Sequence, residues 1–142
     1  MNTKLRIPGF IDLQVNGFVG VDFSSDSLSE EGFIHAGRAL IERGTAAFMP
    51  TLITNKEARL KRNLKIIAAA LKKDTLLARH ILGLHFEGPF ISRENGAVGA
   101  HDPDAVHEPD IEFFDRLLDL SEGRLCLLTV AAEAPNAAQL AA

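Results

Sequence analysis

The sequence contains no Trp, no Tyr and a single Cys among its 142 residues, and nowhere does it gather Lys and Arg into a patch. Each shortage excludes something. One thiol, Cys126, closes no internal disulfide, so a reducing, cytoplasmic setting is expected. Lying in the apolar run LCLLTV with no local base, it reads as a buried structural thiol rather than a nucleophile. Without a basic cluster there is no electrostatic footprint for nucleic acid. The cations from Lys56 to Lys73 are spread along a helical pattern and read as a solvated face. No segment reaches the roughly 18 uninterrupted apolar residues of a membrane helix. The N-terminal MNTKLRIPGF lacks the apolar core of a signal peptide, so a soluble intracellular protein is expected. Dinucleotide, Walker and GxSxG motifs are absent, and the five His show neither HExxH nor Cys/His zinc spacing. What remains is 46% hydrophobic with a formal charge of −4, enough apolar material for one ordinary folded domain.

Four short apolar runs alternate with three helical patterns. The first, RIPGFIDLQV, leads into the Gly-containing loop NGFVGVDF. Ser27 and Glu30 then fit a capping box for a helix carrying Phe33, Ile34, Gly37, Leu40 and Ile41 at helical spacing, with Gly44 placed as its C-terminal stop. The second run, AAFMPTLIT, precedes a helix in which Thr54 and Glu57 fit another capping box and Leu60, Leu64, Ile67 and Leu71 share a face. The third run, HILGLHFEG, is followed by a polar loop from Ser92 to about His107. A helix opening near Pro109 then turns Phe113, Phe114, Leu117 and Leu118 inward and stops at Gly123. The fourth run is RLCLLTVAAE, and PNAAQLAA reads as the start of a further helix.

Strand–helix alternation with crossovers of this length predicts an α/β fold with a parallel sheet. The runs are nearly continuous in hydrophobicity, as in strands covered on both faces. The expected fold is three βα units plus a fourth strand: a small open sheet, or half of a (β/α)8 TIM-type barrel, which takes about 250 residues when complete. No repeat or linker divides residues 1–142, which read as a single domain, incomplete if the fold is a barrel.

Polar residues gather at the C-terminal ends of the runs: Asp12, Gln14 and Asn16 on the first, Thr51 and Thr54 on the second, His85 and Glu87 on the third, Thr129 and Glu133 on the fourth. In parallel sheets and barrels that edge binds ligands. Glu87 at such a rim avoids the several kcal/mol cost of an isolated buried charge. It reads either as a turn-fixing carboxylate before Gly88-Pro89 or as a hard oxygen ligand for Zn²⁺ or a similar ion. His101 and His107 lie in a loop able to fold back over it, although His101 taken alone reads as a surface-loop residue. His85, two residues before Glu87 on the same strand face, is a candidate for either pocket or core. His35 and His80 read as structural or solvent-facing, and Asp102 with Asp104 as a solvated turn.

Taken together, PGFIDLQVNG, PTLIT, LHFEGPFIS, GAHDP and LTVAAEAP resemble, in order and spacing, the N-acetylglucosamine-6-phosphate deacetylase family of the amidohydrolase superfamily. The likeness runs from about Ile7 to the end. It implies a (β/α)8 barrel with a small flanking β-sandwich, and metal-assisted removal of acetate from N-acetylglucosamine 6-phosphate. Glu87, in its HxEGPF context, matches the family's metal-binding glutamate. Ala100 and His101 match a substrate-contacting pair in which the histidine polarises the amide carbonyl. Gln14 and Asn16 fall where other amidohydrolases carry an HxH metal pair, which implies one divalent metal, zinc by expectation.

By the same resemblance, two further metal-binding histidines, the catalytic acid/base aspartate and the main phosphate contacts belong to later strands than the four read here. The expected partners are therefore an amino-sugar phosphate and either the remainder of a barrel or a second copy, with neither nucleic acid nor membrane. The alternative reading is a non-catalytic half-barrel that binds a sugar phosphate or assembles with another chain.

Overall fold

The structure is a computed structural model that describes residues 7–140. The signal-peptide reading of the first ten residues falls largely outside these, as does the end of the helix read in PNAAQLAA. A four-stranded, wholly parallel sheet runs in the order β1 (Phe10–Val15), β4 (Thr45–Ile53), β5 (Leu84–Glu87), β6 (Leu125–Thr129). Each of these strands therefore neighbours the next along the chain, as in an arc of a TIM-type barrel. Between β1 and β4 lie a two-strand ribbon, β2 (Gly17–Phe18) with β3 (Val21–Asp22), and helix α1 (Glu30–Glu42). Helices α2 (Glu57–Lys73) and α3 (Thr75–Ala78) join β4 to β5, α4 (Ile111–Leu120) joins β5 to β6, and α5 (Ala137–Leu140) follows. The ribbon and α3 were not read from the sequence.

The core lies between sheet and helices. Phe23, Phe33, Phe48, Phe86, Phe90 and Leu117 are all fully buried there. Helix α2 buries Leu60, Leu64, Ile67 and Leu71, the stripe its spacing predicts. Helix α1 packs closely on α3 because Gly37 has no side chain; a Cβ there would sit 2.5 Å from Leu77 Cδ1.

Both predicted capping boxes are corrected. Helix α1 is capped by Ser29, whose hydroxyl accepts from Gly32 N at 3.1 Å, while Ser27 interacts with Ser25. Helix α2 begins after Lys56 with no side-chain cap, because the Thr54 hydroxyl instead donates to the Glu87 carbonyl at 3.0 Å. Gly44, at φ +96°, follows α1 as predicted, and its N–H reaches Ile41 O at 3.0 Å. Helix α4 starts from Asp110, which accepts from Phe113 N at 2.7 Å. It buries Phe113 and Leu117, leaving Phe114 and Leu118 half-buried.

Coverage of both faces holds only for the central strands. Phe10, Ile11 and Leu13 on β1 and Leu127 on β6 are exposed, since each of these strands has a sheet neighbour on one side only among the described residues. Cys126 shares that edge position and is exposed rather than buried. No helix among the described residues is long and apolar enough to cross a membrane.

Candidate functional site

The C-terminal edge of the sheet opens into a cleft of about 890 Å³. Gln14 and Asn16 reach it from the end of β1, Ile53 from β4, Glu87 from β5, and Ala100 and His101 from the loop after β5. The sequence analysis named five of these six, leaving out Ile53. It also missed the rim, formed by the β2–β3 ribbon and by Ala97 to Gly99. Small and apolar residues leave no chemical signature there; only Gly20, in its turn at φ +83°, hinted at a tight ribbon.

Glu87 sits at the centre, and the strand end is built around it. Its carbonyl accepts from both Thr54 N (2.9 Å) and Thr54 Oγ1 (3.0 Å), and Gly88 N donates to Thr129 O at 3.2 Å. The turn that follows needs glycine. Gly88 adopts φ +91°, and a Cβ on it would lie 2.1 Å from Thr54 Oγ1. The EGP sequence thus turns the chain and aims the carboxylate in one device. Asn16 Nδ2 donates to Glu87 Oε2 at 3.0 Å, which leaves Oε1 directed toward His101 Nε2 at 3.9 Å. The side chains of Glu87 and His101 are largely buried, 24% and 16% exposed, so the two groups face each other across a partly dry space. The His101 Nδ1 atom is buried and has no hydrogen-bond partner among the described residues. The ring is therefore positioned but not spent.

His85 does not line the cleft. It lies beneath, 1% exposed, with Nδ1 3.1 Å from Thr51 Oγ1 and Nε2 2.8 Å from Thr129 Oγ1. Burial lowers its pKa, an effect partly offset by the Glu87 charge. His107 also stays away from Glu87: its backbone ties the loop to Pro89 O at 3.0 Å and its ring rests on Phe113. Asp102 caps a short turn through Asp104 N, as a solvated turn should. Asp12 accepts from Gln14 N at 3.0 Å, and Glu133 is exposed at the edge of a different hollow.

A carboxylate beside an imidazole is suitable chemistry for Zn²⁺. A catalytic zinc, however, takes about three protein ligands, and no group of three His, Cys, Asp or Glu able to hold a metal exists among the described residues. The described residues fit part of a metal site, not the whole. Nor does any Lys or Arg line the cleft, whose two acidic residues are Asp22 and Glu87.

No family profile matches the chain. Individual proteins do. It is 37% identical over 128 residues to N-acetylglucosamine-6-phosphate deacetylase of Haemophilus influenzae, covering 90% of this chain and 32% of that relative. Among solved structures, the deacetylase of Pasteurella multocida superposes with a TM-score of 0.76 at 32% identity, over 92% of this chain and 33% of the other. A variant of the Mycobacterium smegmatis deacetylase in complex with N-acetyl-D-glucosamine-6-phosphate superposes with a TM-score of 0.75 at 29% identity, over 94% and 33% respectively. The chain spans about a third of the length of the curated relatives it matches. Sequence and fold agree: over that third, this chain belongs with the N-acetylglucosamine-6-phosphate deacetylases.

Proposed function

We propose that the chain contributes one wall of a deacetylase site that hydrolyses N-acetylglucosamine 6-phosphate to glucosamine 6-phosphate and acetate, in a cytoplasmic setting. The observation that carries this is the meeting of Asn16, Glu87 and His101 at the mouth of the sheet, residues drawn from three separate segments. In this reading Glu87 supplies one carboxylate oxygen to a single divalent metal, zinc by preference. Gln14 and Asn16, being amides, provide no second metal pair. Such a metal, when bound, polarises an amide carbonyl and lowers the pKa of water toward about 7.

The chain's own residues bind and orient. Ala100 and the ribbon present small and apolar surface to an acetamide, and the His101 ring donates to its carbonyl oxygen. A donor so placed contributes about 3 kcal/mol where negative charge develops in the transition state. The remaining metal ligands, the proton-transferring carboxylate and the phosphate contacts come from beyond the described residues. The same source, the remainder of a barrel or a second copy, covers the open strands. A sugar-phosphate binding module without catalysis is disfavoured, since no cation among the described residues lines the cleft to hold the phosphate.

The test is a chimera in which this chain replaces the matching third of the Haemophilus influenzae relative. Zinc-dependent acetate release is expected, with Glu87→Gln losing about 100-fold or more in line with removal of a central electrostatic group. A folded chimera that binds zinc and releases no acetate refutes the reading. The isolated chain is expected to release none.

A further inference from the structure

Beneath the cleft, three strands are joined by one directional string of hydrogen bonds. The Thr51 hydroxyl donates to Met49 O at 3.3 Å, and a hydroxyl has only one proton to give. Toward His85 it therefore presents a lone pair, and the proton in the 3.1 Å contact belongs to His85 Nδ1. That leaves Nε2 as an acceptor for the Thr129 hydroxyl at 2.8 Å. The string runs from Thr129 on β6 through His85 on β5 to Thr51 on β4, and then into the backbone. An imidazole in a layer that is 1% exposed is costly unless both nitrogens are bonded, and here both are. A leucine would fill the space but could not tie β6 to β4.

The register shows what the string holds. Thr51 is paired with His85, and Thr129 is paired with Glu87, two residues further along β5. The His85 bonds thus fix the tip of β5 against both neighbours immediately before it delivers Glu87 to Asn16 at 3.0 Å and to His101 at 3.9 Å. We propose that His85 is a positioning residue: bonded through Nδ1 to Thr51 and through Nε2 to Thr129, it cross-links β4, β5 and β6 and so sets where the Glu87 carboxylate stands. This rests on Glu87 being the working carboxylate of the cleft, but it makes its own structural claim, which requires neither metal nor substrate.

The experiment uses the full chain labelled with ¹⁵N. Long-range proton–nitrogen spectra are expected to show the His85 ring as the Nδ1–H tautomer; an Nε2–H tautomer overturns the proposal. The side-chain amide of Asn16 then reports on Glu87. In His85→Asn, whose amide nitrogen takes the place of Nδ1 but which has no group to meet Thr129, the Asn16 resonance is expected to move only part of the way. In His85→Leu it is expected to move to the position of a free, solvated asparagine amide. Should the leucine variant not fold, Thr129→Val removes one bond at an exposed strand end and is expected to move the signal the same way, by less. An Asn16 signal unmoved in whichever of these two variants folds overturns the proposal. Failure of the chimera with these results intact would remove the deacetylase reading and leave the positioning role standing.

Discussion

Replacing Gly88 by alanine tests whether the turn after Glu87 depends on a missing side chain. Three effects combine. A non-glycine residue at φ +91° bears about 1–3 kcal/mol of backbone strain. The new Cβ would lie 2.1 Å from Thr54 Oγ1, and forcing a methyl into packed surroundings costs about 1–3 kcal/mol. Moving Thr54 aside breaks its 3.0 Å bond to the Glu87 carbonyl, for about 1 kcal/mol more. Together these give a loss of about 3–7 kcal/mol, a large share of the 5–15 kcal/mol expected for a domain. In urea, with a slope near 1.5 kcal/mol per molar, the midpoint should fall by about 2 M or more. The double variant Thr54→Ala, Gly88→Ala separates the parts: overlap and hydrogen bond are then gone from both states, so its cost should be well below the sum of the singles. A Gly88→Ala variant within about 1 kcal/mol of wild type would refute the account.

Other expectations follow from single contacts. Ser29→Ala should cost about 1 kcal/mol in denaturation while Ser27→Ala costs almost nothing, since only Ser29 caps α1. Arg38 donates twice to Asp74 at 2.7 Å and, with the Leu77 N–H, holds the carboxyl below its ordinary pKa. A depressed carboxyl contributes stability that is full above its unfolded pKa of about 4 and lost as pH falls through the lower folded value. The stability gap between wild type and Asp74→Asn should accordingly be widest near neutrality and close in acid. The exposed apolar side chains of β1 should make the isolated chain self-associate in sedimentation, and Leu13→Lys should reduce this; equal association in both would exclude that edge.

Periodicity made the long elements legible. The α2 stripe and the parallel pairing of the strands follow from residue spacing, because they depend on local pattern and crossover length. Edges were not legible. Cys126 and Leu127 sit in a run as apolar as any core strand, and nothing in such a run tells whether a neighbour covers it. The caps failed for a related reason. Ser27 and Thr54 have the right residue type at about the right spacing, but a hydroxyl takes the best acceptor in three dimensions, and for Thr54 that is Glu87 O on the next strand. Strand-end polarity identified Gln14, Asn16 and Glu87 as cleft residues, while His101, a loop residue, was singled out only by the family resemblance; polarity could not separate His85 from them, since alternation gives the face and not the depth.

The position of β1 has a dynamic consequence. It has one sheet neighbour among the described residues, its side chains from Phe10 to Gln14 lie in solvent, and it nonetheless carries the residue that steadies Glu87. Local opening free energies within one protein run from near zero at frayed edges to the full unfolding value in the core. β1 is therefore expected to open more readily than the central strands, taking Gln14 and Asn16 out of the cleft while Phe48 and Phe86 stay packed. Amide exchange in Ile11–Val15 should outpace that in Leu84–Glu87. Any ligand of the cleft would bind more weakly by the fraction of time β1 is detached, and whatever pins that strand would tighten the site without touching it.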